Sequence, residues 1–343
     1  MMASAERMYG IGGTPLRGVE LTIAGRPRLV HLKLEGDNPG GSIKDRTAYG
    51  LICHLERTAA LKPGQVLIDS TSGNLGAALA MIAQARGYGF MAVVDPKTTD
   101  ENLAKMRRFG ARIEMVQRVD AQGGYLLSRL ERVRELCQSP EYVWTDQYSS
   151  PANPLAHYRS TAPEILADMD AQVDVVFVAV STGGTLAGVG RYFREKSPST
   201  RIVGVDARGS VVFGGPPGSR LLTGIGSSQR SRFLEPAHYD EHQLVGDEEA
   251  FAFCRALYAA TDLKVGGSSG AVLAACARYL ARHPGPLRLV CVCPDRGENY
   301  ERSIFDDEWL HARGLRASPA LLGPVSDIAL AGPRPLFAPP IAA

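Results

Sequence analysis

Short, almost wholly apolar runs alternate with amphipathic stretches through most of this chain of 343 residues, and that alternation limits the folds open to it. Residues 173–180 read V-D-V-V-F-V-A-V, too short for a typical helix and too apolar for a strand with one wet face. Strands of this kind are buried on both faces of parallel sheets, with helices as the crossovers. The pattern predicts strands at 65–69, 90–94, 112–116, 173–180, 201–205 and 287–292. Helices are predicted at 74–86, 100–109, 124–137, 158–169, 186–196, 248–260 and 271–283. The length is too great for one small core. The expectation is an α/β fold of two domains, each a largely parallel sheet flanked by helices. A Pro/Asn-rich stretch at 149–154 separates an N-terminal domain, 1–150, from a C-terminal domain, 151–315. The first segment, about 36 residues, is expected to pack on the other domain. Residues 209–232, rich in Gly, Pro and Ser, read as a surface excursion, and the Pro-rich stretch 316–343 as a poorly ordered tail.

Charge removes some functions from consideration. The 38 basic and 36 acidic residues nearly cancel, and no basic stripe is interleaved with aromatics, so nucleic acid is not an expected partner. Cys53, Cys137, Cys254, Cys276, Cys291 and Cys293 form no C-x-x-C pair and read as reduced thiols. No apolar run approaches the roughly 20 residues of a membrane span, and no signal-peptide pattern is visible. A cytoplasmic protein without membrane contact is expected.

Four Gly/Ser-rich loops sit at predicted helix starts, where parallel α/β sheets bind ligands. In N-P-G-G-S-I-K-D-R, residues 38–46, Lys44 falls in a first helical turn, where the helix dipole disfavours its ammonium form. A nucleophilic or Schiff-base amine profits from that, whereas a merely solvated lysine gains nothing. Thr71-Ser72-Gly73-Asn74 joins strand to helix and reads either as plain N-capping or as a cradle for a carboxylate. Ser181-Thr182-Gly183-Gly184-Thr185 follows a strand directly; it is neither a P-loop nor a dinucleotide fingerprint, and it suits one small phosphate monoester. The fourth loop, Gly266-Gly267-Ser268-Ser269-Gly270, opens the helix predicted at 271–283, and Ser268 or Ser269 can bond a heterocyclic nitrogen.

In this order and spacing the four loops resemble the β-family of pyridoxal-phosphate enzymes of the tryptophan-synthase fold type, PLP fold type II, which includes cysteine synthase and cystathionine β-synthase. The resemblance spans roughly residues 10–309. It implies pyridoxal 5'-phosphate as cofactor, carried on Lys44 as the catalytic amine. It further implies cofactor contacts from Asn74 to the ring hydroxyl, from Ser181, Thr182, Gly183, Gly184 and Thr185 to the phosphate, and from Ser268 to the pyridine nitrogen. Thr71, Ser72 and Gly73 would take a substrate carboxylate. Gln147-Tyr148 through His157 and Gly224-Ile225-Gly226 resemble two further family segments, which makes Tyr148 and Gly224 substrate candidates. A homodimer acting on small amino acids is implied, with no metal.

Leu75 and Tyr148 stand where cysteine synthases usually carry threonine and phenylalanine. Residues 93–96, 205–207 and 209–214 instead resemble the N-(2-amino-2-carboxyethyl)-L-glutamate synthases, which open 2,3-diaminopropionate biosynthesis for siderophores and peptide antibiotics. Such an enzyme joins O-phospho-L-serine to L-glutamate and releases phosphate. That chemistry asks for extra cations, and Arg230 and Arg220, flanking the G-I-G loop, are candidates. Three other readings stand beside it. One is a cysteine synthase using O-phosphoserine or O-acetylserine with sulfide. Another is a serine hydrolase with Ser268 in a G-x-S-x-G elbow. The last is a regulatory relative that binds without turnover.

Overall fold

The structure, a computed structural model, describes residues 9–120 and 124–332. It opens on a hairpin: β1 (Leu16–Ile23) and β2 (Arg26–Leu34) pair antiparallel around Ala24 and Gly25, whose φ angles are 51° and 72°. Two positive φ angles give the turn whose twist suits a two-residue hairpin. After α1 (Lys44–Arg57) come β3 (Val66–Ser70), α2 (Asn74–Ala85), β4 (Gly89–Val94), α3 (Asp100–Arg108), β5 (Arg112–Met115), α4 (Leu126–Leu136) and β6 (Tyr142–Trp144). These strands form a wholly parallel sheet in the order β5-β4-β3-β6. Leu67, Phe90, Ala92 and Val94 pack on one face with α1 and α2, while Val66, Ile68, Met91 and Val93 meet Val133 of α4 on the other. Period-two alternation between two buried faces explains why such strands are apolar throughout.

The chain continues through α5 (Ala152–Arg159), α6 (Thr161–Asp168), β7 (Val175–Ala179), α7 (Gly184–Lys196), β8 (Arg201–Ala207), β9 (Glu241–Val245), α8 (Asp247–Thr261), α9 (Gly267–Arg282), β10 (Leu289–Cys293), α10 (Asp307–His311) and β11 (Val325–Leu330). The second sheet has seven strands in the order β11-β1-β2-β10-β7-β8-β9. It is parallel from β2 to β9, and antiparallel where β1 meets β2 and β11. Val175, Phe177, Leu289 and Cys291 face α8 and α9; Val176, Val178, Val290 and Val292 face α6 and α7. Each such side chain contributes about 1.5–3 kcal/mol by leaving water.

Three differences from the sequence expectation have physical causes. The helix predicted at 158–169 is two helices, broken at Ser160 (φ −129°, ψ −65°), and the first of them starts inside the Pro/Asn-rich stretch, at Ala152. Strands β1, β2, β6, β9 and β11 were not predicted. The hairpin and β9 mix polar with apolar residues, and a search for continuous apolar runs passes over them. The poorly ordered tail is corrected over 316–332: Val325 and Ile328 are buried as β11 pairs with β1. The rest of that stretch, 333–343, lies outside the described residues.

In each sheet the chain runs one way and then doubles back, between β3 and β6 and between β7 and β10. Ligands bind beyond the carboxyl ends of strands at such reversals. The segments that leave β3, β6, β7 and β10 there all reach one cleft. No helix among the described residues is long and apolar enough to cross a membrane.

Candidate active site

The cleft has a volume of about 470 Å³, within the usual range for a small-molecule site. Lys44, the first residue of α1, lines it and is half-buried. Burial pushes its ammonium down to about 8, and the positive end of α1 works in the same direction. Thr71, Ser72, Gly73 and Asn74 line the same cleft at the start of α2. Gly73 is the N-cap there and no side chain caps the helix, so plain N-capping by Ser72 or Asn74 is not what this loop does. The uncapped N–H groups are what a carboxylate needs.

Ser181, Thr182, Gly183 and Thr185 lie across the cleft, ahead of and within the first turn of α7. Gly183 has φ +92°, and a Cβ there would stand 2.0 Å from Ser231 Oγ. A Cβ on Gly184 would stand 2.0 Å from Asn153 Oδ1. Glycine is required at both places, and the turn exposes backbone N–H groups with no carbonyl inside the helix to accept them. Ser181 Oγ donates to Gly226 O at 3.1 Å, and Asn153 Nδ2 donates to Thr182 Oγ1 at 3.2 Å. His157 Nε2 lies 3.0 Å from Thr47 Oγ1 and 3.2 Å from Thr185 Oγ1, which ties the Lys44 helix to the glycine loop. Burial, with Lys44 and Arg46 nearby, holds this imidazole neutral.

Ser268, 1% exposed, lines the cleft from the first turn of α9, and Tyr148 and Gly224 also line it. No strand precedes Ser268; α8 does, followed by a single β-bridge between Val265 and Arg296. A nucleophile elbow needs a strand at that place, so the hydrolase reading has no geometry here. Arg230 and Arg220 are corrected too. Neither lines the cleft: Arg230 lies over Gly214, and Arg220 Nη1 donates to Gly209 O at 3.1 Å. The excursion that carries them folds back on itself, so closeness in sequence to the G-I-G loop did not bring them in.

The cations that do reach the cleft besides Lys44 are Lys97, Arg129 and Arg302. Arg129, on α4, is 8% exposed. Its nearest described carboxylate, Asp95, stands 3.4 Å from Nη1 without hydrogen-bond geometry, and Nε and Nη1 have no hydrogen-bond partner among the described residues. Asn74 Nδ2 donates to Asp295 Oδ2 at 2.7 Å, and Tyr300 Oη donates to the same oxygen at 2.6 Å. Sequence reading missed both groups. Arg129 looks like any arginine on an amphipathic helix, but Asp295 lies two residues beyond the apolar strand β10, in the place where a ligand group is expected. Among the described residues no three His, Cys, Asp or Glu side chains cluster to hold a metal.

The arrangement suits pyridoxal phosphate. An amine with a lowered pKa, a glycine turn that admits no Cβ, a buried serine and an amide donor surround one cleft of the right size.

Comparison with known proteins agrees. Residues 7–295 match the family model described as pyridoxal-phosphate dependent enzyme. A protein of Ralstonia nicotianae, named N-(2-amino-2-carboxyethyl)-L-glutamate synthase, is 46% identical over 301 residues, covering 88% of this chain and 89% of that protein. A protein of the same name from Cupriavidus metallidurans is 43% identical over 316 residues, covering 91% and 93%. Among solved structures, the O-acetylserine dependent cystathionine beta-synthase from Helicobacter pylori superposes with a TM-score of 0.78 at 31% identity, covering 85% of this chain and 95% of that one. Its sheets, its cleft and these likenesses all place the chain in the pyridoxal-phosphate dependent enzyme family, with the fold of type II.

Proposed function

We propose that this enzyme joins O-phospho-L-serine to L-glutamate, giving N-(2-amino-2-carboxyethyl)-L-glutamate and phosphate, as a first step toward 2,3-diaminopropionate. The likeness to two synthases of that name supports the reading, and the state of Arg129 carries it. The guanidinium is nine-tenths out of water and paired with Asp95, 3.4 Å from Nη1, yet Nε and Nη1 have no hydrogen-bond partner among the described residues, so it keeps donors for a second anion at the cleft. A phosphate leaving group supplies a dianion; an acetyl group supplies none.

Pyridoxal phosphate, when bound, supplies the electron sink for the α-carbon. Lys44 holds it and moves the α-proton at Nζ, a task suited to an amine titrating near 8. The uncapped start of α2, with Thr71 and Ser72, holds the serine carboxylate. Arg129, with Tyr148 beside it in the cleft wall, holds the phosphate while the Cβ–O bond breaks and the electron pair leaves on oxygen. The glutamate amine then forms the Cβ–N bond and gives up a proton. Ser268, a neutral partner for the ring nitrogen, favours elimination over transamination.

The test is product identification by mass spectrometry with phosphoserine or acetylserine as donor, each with glutamate or sulfide as acceptor. Phosphoserine with glutamate should turn over fastest, and Arg129→Gln should lower phosphoserine turnover by roughly a hundredfold. Faster reaction of sulfide than of glutamate, or an Arg129→Gln enzyme with unchanged phosphoserine kinetics, would replace this reading with that of a cysteine synthase.

A further inference from the structure

The contact between Asn74 and Asp295 links the end of one sheet's strand to the start of a helix on the other sheet, 221 residues apart. Asn74 opens α2 four residues after the end of β3, and Asp295 lies two residues beyond β10. Both line the cleft. The two ends of an asparagine amide have nearly the same shape but opposite hydrogen-bonding character, so some neighbour has to decide which end faces the ligand. Asp295 is that neighbour. Its Oδ2 receives Asn74 Nδ2 at 2.7 Å and Tyr300 Oη at 2.6 Å, so this oxygen acts as an acceptor with both lone pairs occupied. An oxygen that accepts from Tyr300 and carries no proton of its own needs a donor from Asn74, so the amide nitrogen and not its oxygen faces Asp295. One hydrogen of that nitrogen is used there, and the second remains for the cleft.

The carboxylate is itself closely held. Asp295 is 2% exposed, and its Oδ1 has no hydrogen-bond partner among the described residues. A Cβ on Gly266 would stand 2.0 Å from that oxygen, so the start of α9 closes over it and only glycine fits. Burial pushes the Asp295 carboxyl up, and the donors Tyr300 and Asn74, with Lys105 nearby, oppose that. Packing this tight fixes the carboxylate in place.

We infer that Asp295 is a positioning residue: it sets the orientation of the Asn74 amide, so that an N–H rather than a carbonyl oxygen meets the ring hydroxyl of the cofactor. The inference rests on Asn74 being a contact of that ring. Tyr300 shares the task by occupying the second lone pair of Oδ2. An amide with the opposite orientation would set its oxygen against the ring oxygen, two acceptors face to face.

The experiment uses the cofactor-loaded enzyme and four variants: Asp295→Asn, Asn74→Ala, the double variant, and Tyr300→Phe. Its readouts are the visible absorption of the bound cofactor, which reports the protonation of the ring hydroxyl, and kcat against KM. Cofactor content and thermal midpoint are measured in parallel. Asparagine at 295 has the same shape but accepts or donates, so the amide at 74 loses its instruction. Asp295→Asn should shift the visible band toward the near ultraviolet with cofactor content unchanged. Its kcat should fall roughly ten- to a hundredfold, the range for losing a hydrogen bond to a charged group, with KM little changed. Tyr300→Phe should move the band the same way by less. In the Asn74→Ala background the Asp295→Asn change should add no further shift, because the effect travels through that amide. A shift that persists undiminished there means Asp295 acts by another route and overturns the inference. A wild-type band in Asp295→Asn beside a shifted band in Asn74→Ala overturns it too, while the assignment of Asn74 survives. Wild-type bands in both single variants remove the assignment of Asn74, and the inference with it.

Discussion

A single amine decides whether the cleft can be loaded. Lys44 reacts with an aldehyde only when neutral, and its pKa of about 8 sits far below that of a free lysine because burial strips water from the ammonium. Below that value the neutral fraction falls about tenfold for each pH unit. The rate at which apoprotein takes up pyridoxal phosphate into its visible form should therefore climb with pH and level off above about 8. Stopped-flow absorption across that span measures it, and a rate still climbing toward pH 10 or so would mean that Lys44 titrates as a free lysine does. Lys44→Ala should show no visible band at any pH. Lys44 and the glycine loops were legible in the sequence because their chemistry is local: a lysine at a helix start and paired glycines after a strand announce themselves. Arg129 and Asp295 were not, because what marks them is burial without a full set of partners, and that appears only after distant elements close over them.

At the scale of elements, the strand-to-helix turns are built to leave backbone groups open. Gly184 begins α7, where alanine would ordinarily favour a helix by up to about 1 kcal/mol. Here its Cβ would strike Asn153 Oδ1, and that side chain cannot swing away, because its Nδ2 is bonded to Gln147 O at 2.7 Å and to Thr182 Oγ1. Gly184→Ala should thus cost about 1–3 kcal/mol of stability by overpacking and weaken cofactor binding at least about tenfold. Urea unfolding and equilibrium titration with pyridoxal phosphate measure the two effects. A variant that is more stable than wild type would show that Asn153 yields and that helix preference wins. Elements themselves were legible in proportion to their regularity. The continuous apolar strands β3, β4, β7, β8 and β10 lie within two or three residues of their predicted places, since burial on both faces leaves a strong pattern. The hairpin strands and β11 sit at the antiparallel side of the larger sheet, alternate weakly, and depend on pairing between the first and last described segments. No local window contains that pairing.

Across the whole molecule, one charge network joins the larger sheet to the helix that carries Lys44. Glu164 on α6 accepts from Arg46 on α1 through both carboxylate oxygens, each at 2.7 Å, and lies 3.1 Å from Lys33 on β2. Arg46, 1% exposed, also grips Glu35 at 2.7 and 2.9 Å. Burial alone would raise the carboxyl of Glu164, but its bonds to Arg46 and the charge of Lys33 override that and hold it at about 2. A carboxyl whose pKa is lower in the folded state stabilises the fold above its unfolded value, and that stability is lost as pH falls through the folded value. For Glu164 the window runs from 4.5 down to about 2. Glu164→Gln should then cost on the order of 3 kcal/mol at neutral pH, the cost of leaving Arg46 and Lys33 buried with half their partner. Asp45 and Asp69, raised by burial to about 7 and about 6, act in the opposite sense, but they are present in both proteins and cancel in the difference. Urea unfolding of the two proteins from neutral pH downward isolates the effect: the gap between them should hold constant to about pH 5 and narrow below it as the wild-type carboxylate becomes harder to keep ionised in the unfolded reference. A gap that stays the same width at every pH would mean that Glu164 matters for its shape and not for its charge, and the two sheets would then owe their alignment to packing alone.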